Sequence, residues 1–172
     1  MSESLFPEAA PDFGDPIGLL KACHDRILSF CDRLEAYAAQ DADQADHDLA
    51  RQVHRYFSTA GRHHHQDEEQ DVFPILNRQS IKLAELIHSL RQEHAEMDAL
   101  WQELEPSLLR PAAIEDRQAF RELVGRFVTA CRRHVKRENR EMLEMARHVI
   151  DSRQLKEIGQ KMAERRGVRV RL

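Results

Sequence analysis

Apolar residues recur at helical spacing along most of the chain. Ile17, Leu20, Ile27, Cys31, Leu34 and Ala38 predict a first helix over about 15–39. Asp15-Pro16 opens it with an N-cap aspartate and a proline at the first helical position. The segment DADQADHD marks the turn into a second helix, whose inner face reads Leu49, Val53, Phe57 and Ala60. That helix runs on through GRHHHQDEEQDVF until Pro74, which ends it or starts a short extra turn. Leu83, Ile87, Leu90, Met97, Trp101 and Leu104 predict a third helix over about 80–105. After the proline-bearing PSLLRPAA, the stripe Phe120, Val124, Phe127, Cys131 and Met145 predicts a fourth over about 114–149. Asp151-Ser152 starts a shorter fifth, to about 165. The expected fold is all-α. An antiparallel up-down four-helix bundle would occupy 15–150, after an extended N-terminal arm over 1–14 and before a short C-terminal helix and basic tail over 151–172.

Every long stripe is interrupted by the same residue type. His24 stands between Leu20 and Ile27, and His94 between Leu90 and Met97. The second stripe continues from Phe57 to His64 and then Glu68; the fourth continues from Cys131 to His134 and then Glu138. Four helices thus aim an imidazole at the core, and two add a carboxylate one turn later. A His–Glu pair one turn apart is ordinarily a surface pair worth ~0.3 kcal/mol. A single core histidine ordinarily bonds a carbonyl. Four stripes that fail alike, two of them with a carboxylate in phase, point instead to cations. An unpaired carboxylate in an apolar interior costs several kcal/mol unless it is paired or metal-bound. Mixed nitrogen and oxygen ligation suits iron, manganese or zinc better than calcium or magnesium. A glutamate can bridge two such ions, and a bridging oxide or hydroxide would offset the remaining charge.

Length and composition narrow the class. The 172 residues make roughly one domain. A net charge of −4 gives no general attraction to nucleic acid, and no apolar run is long enough to span a membrane. The N-terminal stretch MSESLFPEAAPDFGDP is acidic and lacks the pattern of a secretory signal, so the expected location is the cytoplasm. Cys23, Cys31 and Cys131 form no CxxC motif and read as small packing residues. The sequence holds ten histidines. His47, His54, His88 and His148 lie off the stripes and are expected in solvent. His63 and His65 sit ~100° to either side of His64 on an ideal helix and are expected exposed or merely supporting. His65–Glu69 is the rival register to His64–Glu68; the spacing from Val53 and Phe57 favours His64.

The segments HHHQDEEQDVFPIL, EHAEMDALW and RHVKRENREML together resemble the hemerythrin-like, or HHE cation-binding, domain over about 16–150. The most specific piece is H-x3-E-E-x2-V-F-P, from His64 to Pro74. The resemblance implies a four-helix bundle around two non-haem iron ions, with zinc or manganese as other possible occupants. Glu68 and Glu138 would bridge the metals, and His24, His64, His94 and His134 would be terminal ligands. Oxygen-carrying members of that family have a second histidine one turn before the third-helix histidine; here that position is Leu90. His88 lies ~200° around the helix from Leu90 and does not replace it. Asp98, one turn after His94, is the nearest in-phase additional ligand, although a solvated role suits it better. The resemblance implies a protein that binds or reacts with O2, NO or peroxide in sensing, stress response or iron handling. Two alternatives stand beside it: a di-iron enzyme or iron–sulfur repair factor, and a zinc-bound or metal-free helical interaction module. No nucleic-acid or membrane partner is expected, and the sequence does not fix the oligomeric state.

Overall fold

The computed structural model describes residues 12–171 apart from 42 and 44, so the expected arm over 1–14 falls almost wholly outside the described residues. Helices and turns make up the described residues, without a strand. Helix α1 is Pro16–Ala39, α2 His47–Tyr56, α3 Arg62–Asp67, α4 Phe73–Leu76, α5 Ile81–Leu109, α6 Arg117–Arg137, α7 Leu143–Val149 and α8 Ser152–Arg165. α2, α3 and α4 form one helical run, interrupted by π-helical turns at Phe57–Gly61 and Glu68–Val72. α6 and α7 form another, joined by a π-helical turn at Glu138–Met142. Helix α1 packs on α2 and α6, and α5 packs on the same two, closing a ring of four.

Side-chain caps set where these runs begin. Asp15 accepts from the Gly18 N–H, Asp46 from Asp48 and Leu49, Ser80 from Leu83, and Asp116 from Ala119. Asp151 and Gln154 form a reciprocal capping box at the start of α8. Each such cap is worth ~0.5–2 kcal/mol. Pro74 sits in the first turn of α4, so it starts the short extra turn instead of ending the run. Pro106 lies inside α5, which carries on to Leu109 before the turn at Pro111–Ala113.

The π turns correct the sequence reading at two places. A π turn closes i→i+5 hydrogen bonds and absorbs one extra residue, so the stripe beyond it moves on by one position. Ala60, expected inside, is exposed, and Gly61 is buried in its place. Met145, expected on the inner face of the fourth helix, is 39% exposed, while Met142 and Ala146 are buried.

The apolar core divides into two clusters. One gathers Ile27, Cys31, Leu34, Val53, Met97, Leu104, Val124 and Phe127. The other gathers Leu20, Val72, Phe73, Leu76, Ile87, Leu90, Met142, Ile158 and Met162. Between them lies a layer of buried polar residues that the fold has to satisfy. Helix α8 packs along the second cluster through Ile158 and Met162 and ends beside α3.

Candidate metal centre

The layer between the two cores holds His24, His64, Glu68, His94, His134 and Glu138, none more than 4% exposed. Their donor atoms converge as two groups, His24–His64–Glu68–Glu138 and Glu68–His94–His134–Glu138, which share both carboxylates. Glu68 divides its oxygens. Oε1 lies 3.2 Å from His64 Nε2 and 3.5 Å from His24 Nε2, and Oε2 lies 3.3 Å from His94 Nε2. Glu138 Oε2 lies 3.0 Å from His24 Nε2 and 3.1 Å from His134 Nε2. The two glutamates each open a π turn, which is where the backbone register is adjusted to bring them inward.

These spacings are short, yet the angles are not those of hydrogen bonds. The four Nε2 atoms and all four carboxylate oxygens are buried without a hydrogen-bond partner among the described residues. Orphaned buried carboxylates are costly, and here they face orphaned imidazole nitrogens. Two donors held ~2.1 Å from one cation lie ~3.0–3.4 Å apart at octahedral or tetrahedral angles. The observed separations match that geometry, so the residues fit cation ligation, with Glu68 and Glu138 common to both donor groups.

The opposite edge of three imidazoles is anchored. His24 Nδ1 pairs with Asn139 Oδ1 at 2.7 Å, His94 Nδ1 with Glu69 Oε1 at 2.8 Å, and His134 Nδ1 with Glu93 Oε2 at 2.8 Å. A ring whose Nδ1–H donates presents its Nε2 lone pair to the centre. Arginines hold the anchoring carboxylates: Arg91 Nε lies 2.9 Å from Glu69, and Arg137 Nη1 lies 2.8 Å from Glu93. His134 and Arg137 hold Glu93 below the usual carboxylate range. Burial opposes the charge on Glu69, but His94 and Arg91 outweigh it and lower that group too.

The carboxylates that would draw a divalent cation also draw protons. Burial alone would lower His24, yet Glu138 and Glu68 raise it to about 10. Burial opposes His94 in the same way, and Glu68 and Glu69 raise it to about 10. Burial and the neighbouring His24 and His65 hold His64 well below the ordinary value.

His65 is half-buried beside the layer. It was expected exposed or supporting; its ring stacks on His94 at 4.2 Å between centroids, and it forms a third donor group with His94 and His134. The π turn at Phe57–Gly61 is the cause, because one extra residue there brings position 65 as well as 64 toward the layer. The signal in the sequence was the unbroken triplet His63-His64-His65; the bulge itself had none. Asp98 is exposed and stands apart from the donor groups. Leu90 is fully buried in the second core cluster. His88 and His148 are exposed as expected, whereas His54 is half-buried and pairs with Glu105 at 3.0 Å.

A cavity of about 630 Å³ reaches the layer from one side. His65, His94 and His134 line it; His24, His64, Glu68 and Glu138 do not.

The model of the hemerythrin HHE cation binding domain matches residues 15–146. The chain belongs to the hemerythrin HHE family. A protein of Haemophilus influenzae, described as uncharacterized, is 29% identical over 172 residues, covering 96% of this chain and 98% of that one. The HHE match includes all six converging residues and His65, and it stops before α8. Cation binding therefore has a physical seat in this HHE chain: the buried His/Glu layer. Among the described residues no helix is long and apolar enough to cross a membrane.

Proposed function

We propose that this HHE protein holds two non-haem iron ions in an up-and-down antiparallel bundle and uses them to bind or react with O2, NO or peroxide. One observation carries the reading: eight orphaned donor atoms, spaced as ligands and divided between two groups that share both carboxylates. Four imidazoles and two carboxylates suit iron over calcium or magnesium. A ferrous pair would supply two electrons and open coordination positions for a small ligand.

The chain's own residues do the rest. Glu68 and Glu138 hold the two positions together from opposite helical runs. Asn139, Glu69 and Glu93 fix the rings of His24, His94 and His134, so that little reorganisation accompanies a change of charge. His65 stands at the cavity wall against His94 and offers a third nitrogen on that side, where Leu90 offers none. Ile27, Met97, Phe127 and Val135 make part of the cavity wall beyond it apolar.

The test is metal content after expression with iron and purification without oxygen, with absorption spectra before and after air. Two irons per chain and a new near-ultraviolet charge-transfer band are expected. Zinc alone, or failure to take up iron on reconstitution, overturns the proposal.

A further inference from the structure

The cavity beside the metal layer is far larger than a diatomic gas needs. Its volume of about 630 Å³ compares with ~30 Å³ for one water in the liquid. It falls within the ~300–1,000 Å³ typical of small-molecule sites. At one end are His65, His94 and His134. At the other, three rings face one another: Phe57 lies 5.3 Å from Trp101 and 5.1 Å from Phe127, and Trp101 lies 5.7 Å from Phe127.

Gly61 keeps part of this space open. It lines the cavity in ordinary helical conformation, φ −62° and ψ −40°, so its backbone does not require glycine. Glycine inside a helix costs ~1 kcal/mol against alanine. A Cβ at Gly61 would meet only Phe57 Cδ1 at 3.4 Å and the Tyr56 carbonyl at 3.6 Å, so a side chain is tolerable there. What glycine preserves at this position is volume.

The polar groups define what the volume accepts. The charged lining residues are Glu69, Asp98 and Glu105 against Arg62 and Arg91, a balance that does not favour an anion. Glu69 is already paired with Arg91, and Glu105 with His54. The His65 ring, against His94, has no hydrogen-bond partner among the described residues. A neutral imidazole has one donor and one acceptor nitrogen, and a hydroxyl matches either.

We infer that the cavity binds an uncharged organic molecule with an aromatic or branched apolar body and a single hydroxyl or hydroperoxyl head. The body lies against the wall that Phe57, Trp101 and Phe127 make, and the head meets His65 at the metal layer. The inference rests on the di-iron reading for what the head encounters there, and on the cavity alone for binding.

Trp101 is the single tryptophan of the chain and stands on the cavity wall, so its fluorescence reports occupancy directly. The full chain, metal-free and iron-loaded, is titrated without oxygen with 2-phenyl-2-propanol, with cumene hydroperoxide and with benzoate. The alcohol and the hydroperoxide should give a saturable change in the metal-free protein, and benzoate should bind roughly tenfold more weakly or not at all. Gly61→Leu fills the cavity and should weaken alcohol binding at least ~tenfold with metal content unchanged. Ala95→Phe, at an exposed rim position where folding is not at stake, should weaken it too. Gly125→Leu, which points into open space elsewhere, should bind as the natural protein does. No saturable change, benzoate binding as tightly as the alcohol, or both filling variants binding undiminished would each overturn the inference. Metal content of the same samples separates the two readings: alcohol binding by a chain that takes up no iron sinks the di-iron proposal and leaves the cavity assignment standing.

Discussion

Arg166 and Asp67 meet across 99 residues of chain, with Arg166 Nη2 2.6 Å and Nη1 3.1 Å from the two Asp67 oxygens. Arg165 bonds Asp67 as well and reaches Asp71 at 2.9 Å. Asp67 is fully buried and immediately precedes Glu68. The end of α8 therefore grips the backbone that carries a proposed bridging carboxylate, although α8 lies beyond the stretch that matches the HHE domain.

Replacing one of these arginines leaves Asp67 a partner, whereas replacing both strands a buried charge. Arg165→Ala with Arg166→Ala should destabilise the protein by ~3–5 kcal/mol, and either single change by clearly less. Chemical denaturation of the metal-free protein measures this. A double variant no less stable than the singles would show that the grip contributes nothing to folding.

The hydrogen bonds behind the rings should control metal affinity more than stability. Glu93→Gln leaves His134 without its charged anchor and should weaken metal binding ~10–100-fold. Glu103→Gln, at an exposed site outside the layer, should leave it unchanged. Competition with a chromophoric chelator gives both affinities; equal values would remove Glu93 from the account.

His65→Ala should loosen one cation of the proposed pair and spare the other, while His63→Ala should alter neither. Metal retained per chain after dialysis against a weak chelator distinguishes them. If the two variants retain metal equally, His65 is a wall residue and not a donor.

That test turns on a residue whose place the sequence left open between solvent and a supporting role. The six inward-facing His and Glu residues were legible because they occupy apolar stripes, His24 and His94 between apolar residues and the two His–Glu pairs in continuation of a stripe. The element order was legible for the same reason, helped by Asp15 and Asp151 at helix starts. Ala60 and Met145 were misread together. Each lies beyond or within a π turn, and a strict 3.6-residue period carries no sign of an added residue. The cavity was equally hidden, because Trp101 and Phe127 sit at ordinary core positions and Gly61 reads as a weak point in a helix.

Acidity offers a further check on the metal-free protein. His24 and His94 are raised to about 10 in the folded chain, against ~6.5 unfolded. A raised group contributes stability that is whole below ~6.5 and is lost as pH rises through about 10. Metal-free Tm should therefore fall between about pH 7 and 10. Metal binding needs these rings deprotonated, so added metal should reverse the fall at the alkaline end. Thermal unfolding across that window, with and without metal, measures it. A metal-free Tm that holds level would count against protonated rings in the layer.

The cavity touches His65, His94 and His134, while His24 and His64 lie behind them, at most 1% exposed. On the proposed di-iron reading, two berths reached through this cavity would fill in order. An ion destined for the His24/His64 position would then enter past the His94/His134 position and leave only after that berth had emptied. Chelation should then unload the pair in two kinetic steps, the last ion in being the first out, with a half-loaded protein that keeps its remaining ion at the inner berth.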